Sequence, residues 1–166
     1  DTRSMTLETA FSAAALPTSG TVAVIVSGAK LGTVGMAVDK ATGGALTKAL
    51  TVQGFKDKAG ETLILTAVGP YDHVVLVSAG KADKVDDLAL QAAGGHAWAA
   101  LSRTKAKTAA LAVEAAPARK GKAEHLPPAA LVAQGALLRS YRFDTYRTKL
   151  KEEDKPQLRA LTVHHK

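Results

Sequence analysis

Hydrophobic and polar positions change their spacing several times along this chain, and each change marks an element. Met5 to Phe11 alternates, with Met5, Leu7, Thr9 and Phe11 on one side, the period of a half-buried strand. Pro17-Thr18-Ser19-Gly20 is a turn cluster. Val22-Ala23-Val24-Ile25-Val26 is apolar throughout and mostly β-branched, as an interior strand covered on both faces would be. A loop follows from Ser27 to Gly35. Met36 to Leu50 then reads as one helix, although Gly43 and Gly44 would each cost it about 1 kcal/mol relative to Ala.

Thr62 to Val68 and His73 to Val77 read as strands, and Gly69-Pro70-Tyr71-Asp72 between them has the chemistry of a hairpin turn. Lys81 to Asp87 is a polar connector. Leu88 to Leu101 is an Ala-rich helix with Asp86 or Asp87 at its amino end, where a carboxylate serves the free N–H groups. Thr108 to Ala115 predicts a further strand, and Ala116 to Leu126 a basic loop. Pro127-Pro128 opens a helix to about Tyr141, with Leu131, Val132, Leu137 and Leu138 at helical spacing. Tyr146 to Pro156 is densely charged and reads as a linker. Leu158 to Val163 fits either one more strand or the start of another domain.

The order strand, strand, helix, strand, strand, helix, strand, helix predicts a single α/β domain layered around a mixed sheet. Its expected extent is 5–145, with 146–166 as a charged linker leading toward a further domain.

A chain of 166 residues suits one domain, and at that size folding buries roughly 70% of the surface the unfolded chain exposes. The apolar share is 46%, carried largely by Ala and Val, with aromatics at only 4%. Such a core permits close helix–sheet approach, although each small side chain contributes less burial than Phe or Trp. Cysteine is absent, which rules out disulfides and thiolate metal sites. No run of about 18 apolar residues offers a membrane span, and Asp1-Thr2-Arg3-Ser4-Met5 lacks the features of a signal peptide. A cytoplasmic location and no membrane partner are the expectations.

Candidate chemistry is sparse. The acids are scattered, and the one dense run, Glu152-Glu153-Asp154, sits among lysines in the expected linker. No His-Glu-x-x-His occurs, and the adjacent pair His164-His165 suits few metal geometries. There is no Gly-x-Ser-x-Gly elbow. Ser27 and Ser78 end strands without a signalled base, so they read as turn residues. The loop holding Gly28, Gly32 and Gly35 lies between a strand and a helix, where backbone N–H groups can cradle phosphate. Its spacing is neither the dinucleotide fingerprint nor a Walker loop.

Net charge is +7. Arg103, Lys105 and Lys107 cluster in one connector, and Arg119, Lys120 and Lys122 in another. If both lie on one edge of the sheet, they form a cationic patch suited to the phosphates of duplex DNA. A plain solvated surface or a contact between subunits is the simpler alternative. Trp98 reads as core. Tyr141, Phe143 and Tyr146 would dock the last helix onto the domain or a neighbour.

Two segments carry more than local information: Asp39-Lys40-Ala41-Thr42-Gly43-Gly44-Ala45-Leu46-Thr47-Lys48-Ala49-Leu50, and Gly135-Ala136-Leu137-Leu138-Arg139-Ser140-Tyr141-Arg142-Phe143-Asp144-Thr145-Tyr146. In this order they resemble the amino-terminal domain of the leucyl aminopeptidase (cytosol aminopeptidase) family. The Val22–Val26 strand, Phe55 to Thr62 and Val74 to Lys81 look like the same domain. The resemblance implies a macro-domain-like fold. It also implies that catalysis belongs to a separate carboxy-terminal peptidase domain, expected beyond Lys166, with two divalent ions (zinc, manganese or magnesium). The parent enzymes release amino-terminal residues, preferably leucine, and are typically hexamers; some bacterial members bind DNA. The family's metal-binding string Asn-Thr-Asp-Ala-Glu-Gly-Arg-Leu is absent from this chain, so no catalytic, cofactor or metal residue transfers to any position in it. The expected role is a non-catalytic domain assisting oligomer assembly and substrate access. Alternatives are a DNA-binding module, or a macro-like module taking ADP-ribose or a nucleotide on the Gly28–Gly35 loop.

Overall fold

Runs of β-branched residues fill the middle of the sheet because only a position covered on both faces can bury every side chain of a strand. The computed structural model describes residues 6–117, 125–144 and 155–165. Its strands are β1 (Glu8–Ser12), β2 (Gly20–Val26), β3 (Thr62–Val68), β4 (Tyr71–Ser78), β5 (Thr108–Val113) and β6 (Ala160–His164). The helices are α1 (Thr33–Ala41), α2 (Ala45–Val52), α3 (Asp87–Ser102) and α4 (Pro128–Asp144). The sheet order is β1-β6-β5-β2-β4-β3. All neighbouring pairs are parallel except the β3–β4 hairpin, so the sheet is mixed.

Side chains of β2 alternate between two cores. Ala23 and Ile25 join Val75, Val77, Leu111, Leu161 and Val163 under α3 and α4. Val22, Val24 and Val26 join Val74, Leu76, Val38 and Leu46 under α1 and α2. The result is a three-layer α/β/α body. Trp98 is buried in the first core, and its ring lies 5.5 Å from that of Phe143 on α4. Tyr141 is instead half exposed, and Tyr146 lies outside the described residues.

Three expectations change. Met36–Leu50 is two helices, because Gly43 and Gly44 take φ of +66° and +87° and turn the chain between them. Phe11 does not face a core: it is 53% exposed and lies beside Val113, Pro127, Pro128 and His165 around a cavity of about 490 Å³. Of the two readings of Leu158–Val163, the strand is found. β6 lies inside the sheet between β1 and β5, so the body reaches beyond residue 145 to His164. The linker residues 146–154 fall outside the described residues.

Candidate functional site

In open α/β sheets the crevice forms beyond the carboxyl ends of the parallel strands, where the chain leaves for its crossovers. That end of β2 and β5 bounds a cleft of about 1020 Å³. Ser27 to Gly32, Lys56, Asp57, Ala82, Glu114, Ala116 and Pro117 line it. Gly28 takes φ of +64° and donates to the Gly80 carbonyl, which folds this loop back over the strand end.

Glu114 is the most engaged side chain in the cleft. The backbone N–H groups of Glu114 and Ala115 both donate to the Ile25 carbonyl, at 2.7 and 3.0 Å. This fixes the chain as it leaves β5. The Glu114 carboxylate then accepts from three backbone N–H groups at the start of α1. Gly32 and Gly35 donate to Oε2, each at 3.0 Å, and Val34 donates to Oε1. Gly32 precedes the helix and has no side chain to cap it. The carboxylate, 82 residues away in sequence, supplies that cap and meets the positive end of the helix dipole. A Cβ on Gly32 would sit 2.8 Å from Oε1, and one on Gly35 3.0 Å from Oε2. At Gly32 the space a Cβ would take is held by the carboxylate, and at Gly35 by the carboxylate together with Leu31, whose Cδ2 would be 2.9 Å away.

The Gly28–Gly35 loop thus presents converging amides between strand and helix, and the chain's own acid lies among them. In the sequence Glu114 is one of many scattered acids. The available signal was its position: an acid directly after a buried strand, with a glycine-rich strand–helix loop elsewhere in the chain. Ser27 Oγ, on the same cleft, is buried with no hydrogen-bond partner among the described residues. Ser78 Oγ accepts from the Gly80 N–H, as a turn serine does.

Only the first of the two cationic clusters falls among the described residues. Arg103, Lys105 and Lys107 are exposed and precede β5, while the chain toward Arg119, Lys120 and Lys122 leaves from the opposite end of that strand. Arg119, Lys120 and Lys122 themselves lie outside the described residues. No group of three or more His, Asp or Glu that could hold an ion occurs among the described residues. The adjacent His164 and His165 diverge: His164 is buried with Nδ1 2.9 Å from the Ala14 carbonyl oxygen, while His165 lines the apolar cavity near Phe11. Glu152, Glu153 and Asp154 are not among the described residues. No described helix is long and apolar enough to cross a membrane.

The sequence profile of the cytosol aminopeptidase family, N-terminal domain, matches residues 21–150. A probable cytosol aminopeptidase of Gluconobacter oxydans is 37% identical over 145 residues, covering 84% of this chain and 27% of that protein. One from Geobacter is 37% identical over 118 residues, covering 69% of this chain and 23% of that protein. The chain spans about a quarter of the length of these relatives. Among solved structures, a mutant of tomato leucine aminopeptidase superposes with a TM-score of 0.71 at 18% identity, over 99% of this chain and 33% of that one. An Oceanobacillus iheyensis macrodomain with ADP superposes with a TM-score of 0.60 at 13% identity, over 93% of this chain and 80% of that one. At such identities the two structures speak for the fold, which is macro-domain-like.

Proposed function

We propose, for a chain that belongs to the cytosol aminopeptidase family and carries its N-terminal domain, a non-catalytic role beside a separate carboxy-terminal peptidase domain. In this reading the chain helps subunits assemble, as a hexamer, and shapes the approach of peptides. The peptidase domain supplies two divalent ions (zinc, manganese or magnesium) and releases amino-terminal residues, preferably leucine, in the cytoplasm. The observation that carries the reading is the pattern of coverage: most of this chain matches, and the match spans about a quarter of each relative. The cleft beyond β2 and β5 supports it too, since its convergent donors are held by Glu114 rather than left free for a reacting group.

The chain alone should not hydrolyse leucine p-nitroanilide, even with manganese added. Turnover abolished by a chelator would sink the reading. The assembly role has a separate test. Removing the equivalent domain from a full-length relative should lower the number of subunits per particle measured by sedimentation, and a particle that is still hexameric would refute that part.

Binding of duplex DNA is the second reading, favoured by exposed Arg103, Lys105 and Lys107. It requires affinity that falls steeply with salt and weakens when all three become Ala. A role in binding ADP-ribose is disfavoured, because Glu114 fills the cradle a phosphate would need.

A further inference from the structure

We propose that Glu114 is a built-in ligand that keeps this cleft closed to phosphorylated small molecules. Its carboxylate occupies the ring of Gly32, Val34 and Gly35 amides in which a phosphate group would otherwise be held.

Four observations converge. Three backbone donors from one short segment meet on one carboxylate, the arrangement by which helix starts and nests hold oxyanions. The hydrogen of Gly32 leaves just enough space for that carboxylate, since a Cβ there would be 2.8 Å from its Oε1, and at Gly35 a Cβ would crowd both the carboxylate, at 3.0 Å, and Leu31, at 2.9 Å. The cleft around it is far larger than one carboxylate requires, at about 1020 Å³. Ser27 Oγ stands on the same cleft, buried without a partner among the described residues, as a further group able to bond a ligand. Lys30 and Lys56 on the rim favour an anion, while Asp57 on the same rim opposes one.

A tertiary helix cap and an internal ligand make the same contacts but differ in consequence. A cap merely stabilises α1. An internal ligand also competes, so its removal exposes a site that accepts an external anion. Negative charge repels negative charge, and the cradle has room for one oxyanion. The native chain is therefore closed to phosphates at this place whatever the rest of the cleft offers.

The test is calorimetric titration of the native chain and of Glu114→Ala with ADP-ribose, and separately with inorganic pyrophosphate. The native chain should give no binding heat. Glu114→Ala should bind at least one of the two probes at least about tenfold more tightly than the native chain. If Glu114→Ala does not fold, Glu114→Gln replaces it, a weaker internal ligand that keeps the shape and one acceptor oxygen while discarding the charge, and a smaller gain in the same direction is expected. Amide hydrogen exchange on the native chain adds an independent reading: the N–H groups of Gly32, Val34 and Gly35 should be protected. Binding of either probe by the native chain overturns the proposal. So does a folded variant that binds neither, and so does unprotected exchange of the three amides. None of these outcomes bears on whether the chain alone has peptidase activity.

Discussion

Two helices of this domain begin on a glycine, and in each an acid from elsewhere does the work a local side chain normally does. Gly32 precedes α1 and is served by Glu114. Gly44 precedes α2 in the left-handed conformation, and there Asp39 accepts from both the backbone N–H and the hydroxyl of Thr47, at 2.8 and 2.7 Å. Caps of this kind are worth about 1 kcal/mol each. Asp39 and Thr47 both fall in the first segment that carries the family resemblance, so part of that likeness coincides with a structural device. Neither cap was legible from spacing, since an acid eight or 82 residues from its amide leaves no periodic trace. A third residue has a consequence in pH. Burial, with the positive charge of Arg139 second, lowers the pKa of His96 from its usual 6.5. The unfolded chain then takes up this proton before the folded one does. The contribution of His96 is thus fully present above about pH 6.5 and is lost as pH falls through the lowered folded value. Melting temperature should drop over that acidic interval, and His96→Gln should flatten part of the drop. An equally steep profile in the variant would refute this assignment.

At the scale of elements, close packing explains what periodicity read well and what it misread. The interior strand at Val22–Val26, the β3–β4 hairpin and α3 were all legible, because a continuous apolar run, turn residues and an N-terminal acid each have local causes. Asp86 does cap α3, its side chain accepting from the Ala89 N–H at 2.8 Å. The α1–α2 break leaves no periodic signal, since by propensity Gly43 and Gly44 count only as a cost to one helix. Their positive φ makes them the turn between two. The pairing of α3 with α4 rests on two other glycines. A Cβ on Gly94 would collide with the Val132 carbonyl, and one on Gly135 with that of Gln91. Both obstacles are backbone atoms, which cannot rotate away as a side chain can. Gly135→Ala should therefore destabilise the fold by about 1–3 kcal/mol, although Ala is the better helix former. Urea denaturation measures this as a lowered midpoint at unchanged slope. A midpoint equal to or above that of the native chain would show that the helices can separate at little cost.

At the scale of the whole molecule, the decisive ambiguity lay at Leu158–Val163, because a short apolar run after a charged stretch looks alike whether it closes one domain or opens another. What settles it is register across the sheet, which sequence spacing does not encode. β1 pairs with β6, and β6 pairs in turn with β5, so β6 joins the first strand of the chain to its centre. The backbone N–H groups of Arg159 and Ala160 already reach the Lys107 carbonyl ahead of that ladder. Leu158, Leu161 and Val163 enter the same core as Ile25 and Trp98. At about 1.5–3 kcal/mol for each buried side chain, losing three of them removes about 5–9 kcal/mol. That is comparable with the total stability of about 5–15 kcal/mol that a domain possesses. The loss also strands β1 without its partner and bares the edge of β5. A fragment ending at residue 145 should consequently lack a cooperative melt followed by circular dichroism. Adding back residues 155–166 as a separate peptide should restore one, in a concentration-dependent way. If the shortened fragment melts as sharply and at the same temperature as the full chain, β6 is an appendage and the sheet's centre is self-sufficient without it.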